Sequence, residues 1–219
     1  MNIPNKIKEI NAGLPGTTRL VAVSKFHPVE AILEAYNAGQ RIFGESKAQE
    51  LTEKQHLLPK DIEWHFIGHL QTNKVKYIIP FTSLIHSVDS VKLLEEINRQ
   101  AEKQHRTIHC LLEIHIAQEE TKYGFSIEEA RLLFEENAFE KFDHVIVKGF
   151  MGMASLTNDT QKIRKEFRTL SSLFNEIKGK YAPQVDTLSM GMTDDYKIAV
   201  EEGSTLIRIG SYIFGSREY

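Results

Sequence analysis

The chain has 219 residues, 41% hydrophobic and 26% charged, with a mean hydropathy of -0.32. This is the make-up of a globular chain with a sizeable core, and it excludes disordered, collagen-like and membrane-embedded classes. Its 27 Lys+Arg against 30 Asp+Glu give a net charge of -3, so there is no broad cationic field to hold a nucleic-acid backbone and no nucleic-acid partner is expected.

The opening, Met1 to Lys6, carries no apolar core of signal-peptide length, and no stretch reaches the ~18 uninterrupted apolar residues of a membrane span. A cytoplasmic protein without membrane contact is expected. Leu20 to Val23 is the first β-branched run and ends in Ser24-Lys25. Pro28 suits the first turn of a helix carrying Val29, Ile32, Leu33 and Tyr36 on one stripe, and Gly39 suits its end. Strand-like runs follow at Arg41 to Phe43, before Gly44-Glu45-Ser46, and at Trp64 to Ile67, before Gly68-His69. Leu84 to Val88 precedes a stripe of Val91, Leu94, Ile97 and Ala101. Ile108 to Ile116 holds the single cysteine, Cys110, in an apolar context that predicts a buried thiol and excludes an intramolecular disulfide. Ser126 and Glu129 have capping-box spacing ahead of Ile127, Ala130, Leu133 and Phe134. Val145 to Phe150 reads as the sixth strand, and Ile163, Phe167, Leu170 and Phe174 as the next helix stripe. That helix carries Lys162, Arg164, Lys165 and Arg168 on a solvated face. Thr187 to Met190 is followed by Thr193-Asp194-Asp195, which places acceptors and negative charge at a helix start. Leu206 to Ile209 leads into Gly210-Ser211.

Eight strands alternating with helices predict an α/β fold of the closed (β/α)8 TIM type, with an open doubly wound sheet as the alternative. The length lies within the roughly 200 to 250 residues such a barrel commonly occupies. No linker or low-complexity tract divides the chain, so residues 1–219 are expected to form one domain.

In a barrel the strand ends converge at one mouth, where active sites form. Lys25 ends an apolar strand that would carry its ammonium to the lip of the core, where burial favours the neutral, nucleophilic amine and a Schiff-base role. Lys148, after Val145-Ile146-Val147, competes for that role and would suit a cofactor-free aldolase. Ser189, Gly210 and Ser211 follow the seventh and eighth strands, where barrels often bind phosphate. No G-x-G-x-x-G or P-loop is present. His65 and His69 have metal-ligand spacing only on a helix, which Gly68 at a strand end argues against. His109, Glu113 and His115 share one strand face without making a strong metal signature.

Val21-Ala22-Val23-Ser24-Lys25, Phe43-Gly44-Glu45, Trp64-His65-Phe66-Ile67-Gly68-His69-Leu70-Gln71-Thr72-Asn73-Lys74, Leu188-Ser189-Met190-Gly191-Met192 and Ile207-Arg208-Ile209-Gly210-Ser211-Tyr212-Ile213-Phe214-Gly215 occur in that order. Together they resemble the pyridoxal phosphate homeostasis protein family from about Leu20 onward. The resemblance implies a barrel like that of alanine racemase, binding pyridoxal 5′-phosphate (PLP) as a lysine aldimine on Lys25 without an established turnover. It implies that Ser189, Gly210 and Ser211 hold the phosphate and that Arg208 faces the pyridine nitrogen. Ser46 stands where the family usually has Asn, a shorter side chain at the cofactor site, and Phe26-His27 replaces the more common small and basic residues.

An arginine with a pKa above ~12 leaves the ring nitrogen unprotonated, which weakens the cofactor as an electron sink. A racemase also needs an acid/base group on the second face, and nine residues after Gly210 are too few for a second domain. A monomeric PLP carrier is therefore expected, with apo PLP-dependent enzymes and free amino acids as partners. A racemase-like PLP enzyme acting on amino acids is the alternative.

Overall fold

The computed structural model describes residues 2–117 and 123–215. In chain order the elements are α1 (Ile3–Ala12), β1 (Arg19–Val23), α2 (Val29–Asn37), β2 (Ile42–Glu45), α3 (Ala48–Leu57), β3 (Glu63–Phe66), a 3-10 turn (Thr72–Lys74) and α4 (Val75–Ile78). They continue through β4 (Thr82–Val88), α5 (Val91–Lys103), β5 (Ile108–Ile114), α6 (Ile127–Glu135), β6 (Val145–Gly152), α7 (Thr160–Lys180), β7 (Thr187–Ser189), α8 (Tyr196–Glu201), β8 (Leu206–Ile209) and α9 (Ser211–Phe214). Among the described residues the eight strands close into a barrel in sequence order. The seam is parallel, with Arg19 opposite Leu206 and Ala22 opposite Ile209. Every predicted strand run overlaps one of these strands, with Arg41, Ile67, Ile116 and Met190 at run ends lying outside them, and the open-sheet alternative is excluded by the β1–β8 pairing.

Closure divides the core in two. Val21, Ile42, Leu84, Leu111, Met151 and Leu206 fill the barrel interior, while a larger apolar shell packs strands such as β3 and β8, through Trp64, Phe66, Ile207 and Ile209, toward the helices. The period of two along each strand therefore sorts the interior residues. Two places on from the inward Leu84 and Leu206 come His86 and Arg208, and two on from Leu111 comes Glu113. These buried polar groups lie toward the mouth. Cys110 is fully buried, and burial alone pushes its thiol well up.

Several boundary signals act at slightly different places from those expected. Pro28 sits at the N-cap of α2 with ψ 163, one residue ahead of the first turn. Gly39, with φ +99, follows the C-cap Ala38 and reverses the chain as glycine does. The Ser126–Glu129 capping box is formed by both reciprocal bonds, 3.1 and 2.8 Å. Asp195 occupies the N-cap of α8, yet its carboxylate accepts from the Met192 backbone N–H at 2.6 Å and so braces the loop instead of capping the helix. Among the described residues no helix is long and apolar enough to cross a membrane.

Candidate functional site

Lys25 follows β1 and is half-buried at the mouth. Its two neighbours are tied down by a buried network. Ser24 Oγ donates to Glu45 Oε1 at 2.6 Å, and Lys54 Nζ donates to the Ser24 carbonyl at 2.8 Å, to Glu45 Oε1 at 2.8 Å and to Glu50 Oε1 at 2.7 Å. The Phe26 N–H donates to the same Glu50 oxygen at 2.6 Å. Phe26 adopts φ +67, a left-handed conformation that a bulky residue takes only under constraint. The His27 ring stacks on Phe214 with centroids 5.0 Å apart. The backbone carrying Lys25 is thus held on both sides. Within the network, burial pushes Glu45 up to about 7 against the pull of Lys54.

Lys25 lines a pocket of about 240 Å3 together with Arg208, Gly210, Ser211 and Thr193. Ser211 Oγ and Thr193 Oγ1 are 3.1 Å apart, so two hydroxyls meet on one wall. Gly210 lets β1 come close, because a Cβ there would lie 3.1 Å from the Val23 carbonyl oxygen. The Arg208 guanidinium is held from below. Nη1 donates to the Ser189 carbonyl at 2.9 Å and to Ser189 Oγ at 2.6 Å, and Nη2 donates to the Gly152 carbonyl at 3.2 Å. Burial pushes Arg208 down to about 10, a value that leaves it charged at neutral pH, with Asp195 and Glu113 supporting the charge. Glu113 in turn is pushed up to about 7, first by burial and then by Asp89.

Of the expected site residues, Lys25, Arg208, Gly210 and Ser211 come together and two do not. Ser46 lines a separate cleft of about 600 Å3 with His69 and Lys74, bordered by residues of α3 such as Thr52 and Glu53. Ser189 is 0% exposed and lies beneath Arg208, its Oγ shared between that guanidinium and His86 Nδ1 at 3.0 Å, so it does not line the pocket. Lys148 departs further from expectation. Strand β6 continues to Gly152, placing Lys148 in mid-strand, and its Nζ pairs with Asp186 at 2.6 Å beside a cleft at the opposite end of the barrel. A nucleophilic Lys148 at the mouth is thereby excluded.

Thr193, expected with Asp194-Asp195 to supply acceptors at a helix start, instead turns its hydroxyl to the pocket wall, a role that its place after β7 could signal. His86 and Glu113 were also available from alternation, as polar residues in register with interior apolar ones. His65 and His69 diverge, the first reaching His86 Nε2 at 3.0 Å and the second pairing with Asp89 at 3.1 Å. Among the described residues no group of three or more His, Cys, Asp or Glu side chains could hold a metal ion.

Residues 2–218 match the family model described as alanine racemase, N-terminal domain. The chain is 40% identical over 202 residues to the pyridoxal phosphate homeostasis protein of Aquifex aeolicus, covering 92% of this chain and 88% of that one. Two solved structures of PipY from Synechococcus elongatus PCC7942 are similar. The one without PLP has TM-score 0.91 and 35% identity, and the one with PLP bound has TM-score 0.87 and 34% identity; each alignment covers 98% of this chain and 100% of that one. Alanine racemase from E. faecalis shares the fold at TM-score 0.75 and 16% identity, covering 98% of this chain and 57% of that one.

Proposed function

The chain belongs to the pyridoxal phosphate homeostasis protein family, and from that premise we propose that it holds PLP at Lys25 as a carrier without turnover of its own. The observation that carries this reading is the convergence of Lys25, Arg208, Ser211 and Thr193 on one pocket. The donor set fits the group. Lys25 supplies an amine for the aldehyde, the Ser211 and Thr193 hydroxyls with the Gly210 backbone suit a phosphate, and Arg208 suits a neutral pyridine nitrogen. When bound, PLP supplies an aldehyde for reversible attachment to amines and a ring able to accept electrons. Ser189 serves in this reading by holding Arg208, and Ser46 has no direct part.

Arg208 keeps its proton at neutral pH and can only donate. It therefore orients the ring without protonating it, and the strongest electron sink is withheld. Amino acids gain access to Lys25 through the open mouth, while proton loss at Cα stays slow. Apo PLP-dependent enzymes are the recipients this reading requires. Glu113, buried near Arg208 and poised to hold or release a proton near pH 7, is the one feature favouring the alternative, a PLP enzyme acting on amino acids.

Cα deuterium exchange, racemisation and transamination measured against free PLP separate the two. Rates near those of free PLP, together with transfer of cofactor to an apoenzyme, are expected. Turnover on the order of 1 per second would establish the enzyme instead.

A second test addresses the phosphate wall. Ser211→Ala and Thr193→Val each remove one hydroxyl and should each weaken PLP binding by about tenfold to a hundredfold, the worth of a hydrogen bond to a charged group. Neither should affect pyridoxal, which lacks the phosphate. Equal losses for both vitamers in a fluorescence titration would move the phosphate elsewhere.

A further inference from the structure

The barrel interior contains a line of polar side chains that starts at Arg208 and runs away from the pocket. Arg208 Nη1 lies 2.6 Å from Ser189 Oγ, Ser189 Oγ lies 3.0 Å from His86 Nδ1, and His86 Nε2 lies 3.0 Å from His65 Nδ1. Ser189 and His86 are 0% exposed and His65 is 4% exposed, its ring reaching the cleft at the opposite end of the barrel. The four groups belong to four different strands, β8, β7, β4 and β3.

The hydrogen inventory gives this line a direction. A guanidinium has donors only, so Ser189 Oγ accepts from Arg208. A hydroxyl has a single proton. Ser189 Oγ has two lone pairs and could also accept from a His86 Nδ1–H, but its own buried proton would then have no acceptor within reach among the described residues. Donation to a bare His86 Nδ1 is the arrangement that leaves no buried hydroxyl proton unpaired. The proton of His86 then lies on Nε2 and is donated to His65 Nδ1, which is also bare. Burial favours the uncharged form of both rings, reinforced by the Arg19 charge at His65 and by His65 and then Arg208 at His86.

We propose that His86 is a positioning residue for Arg208: by taking the Ser189 proton it turns a serine lone pair toward the guanidinium, in a one-way chain where His86 and His65 each carry their proton on Nε2. Without His86 the Ser189 hydroxyl is free to rotate, and Arg208 loses a fixed acceptor at its shortest contact. The pose of Arg208 relative to a bound pyridine ring rests on the function proposed above. The direction of the chain does not.

The test uses the full-length protein without added PLP. Long-range 1H–15N correlation spectra should show both histidines neutral, with Nε2 protonated and Nδ1 bare, across about pH 6 to 8. A proton on His86 Nδ1 would overturn the proposal, and this measurement needs no variant. The Arg208 Nη protons should appear as separate resonances, as expected of a guanidinium whose rotation is arrested. They should merge in His86→Leu and separate again in His86→Gln, whose amide can accept and donate at the same places. Resolved Arg208 resonances in a folded His86→Leu protein would contradict the positioning role. If that variant does not fold, Ser189→Ala removes the same link with a smaller change and should merge the resonances as well. A PLP titration of the variants then separates the two readings. Merged resonances with affinity reduced about tenfold support both; merged resonances with unchanged affinity uphold the chain and reject the Arg208–pyridine contact.

Discussion

Lys25→Ala should reduce PLP affinity by more than about a hundredfold, or about 2.7 kcal/mol, and eliminate the absorbance of a lysine-bound cofactor. The reversible covalent attachment depends on that one amine, and no hydroxyl or guanidinium in the pocket can replace it. The fold should persist. Lys25 is only half-buried, and the Glu45–Lys54–Glu50 network holds Ser24 and the Phe26 N–H through groups other than the Lys25 side chain. Lys148→Ala provides the comparison, since that residue pairs with Asp186 at the other end of the barrel and should leave binding unchanged. Absorbance titration of the two variants checks this, and a loss in Lys148→Ala with retention in Lys25→Ala would invert the assignment.

The second large effect concerns stability. Lys54→Met leaves the Glu45 carboxylate buried without its cation, a change that typically costs about 3 to 5 kcal/mol. For a chain of this size that corresponds to a fall in Tm of roughly 6 to 20 °C. The deficit should depend on pH. Burial already raises Glu45 to about 7 in the folded protein, so the folded state binds a proton more tightly than the unfolded one. Stability from this group is present at low pH and is lost as pH rises through about 7. Without Lys54 the folded value rises further, the loss extends to higher pH, and the deficit should be smaller near pH 5.5 than near pH 8. Thermal melts at the two pH values check it, and an equal deficit at both would show that Glu45 is not the group responsible.

The strands were legible because parallel strands covered on both faces read as short continuous apolar runs. The helices α1 and α3 were not, since the core takes only Ile7 and Ile10 from one and Ala48, Leu51 and the aliphatic stem of Lys54 from the other. Arg208 was legible through the family resemblance, since it lies within β8, and Lys25, Gly210 and Ser211 were legible as strand-end residues. Ser46 shares that property but lies on another sector of the mouth, which spacing along the chain does not encode. Ser189 is at the correct strand end, yet its alternation with the outward Leu188 points it inward beneath Arg208. Lys148 follows the apolar run Val145-Ile146-Val147 and so resembles a strand-end residue, although β6 pairs onward through Gly152 and leaves it in mid-strand. The Glu45–Lys54 pair joins a strand to a helix nine residues on, a contact that only the packing of α3 over the barrel creates.

Borohydride reduction of the PLP-loaded protein, followed by peptide mapping, tests the central claim most directly because reduction fixes the cofactor on the nitrogen that holds it. The account predicts a single pyridoxyl label on the peptide containing Lys25. A label on Lys148 or any other lysine, or no label after loading with PLP, would contradict it.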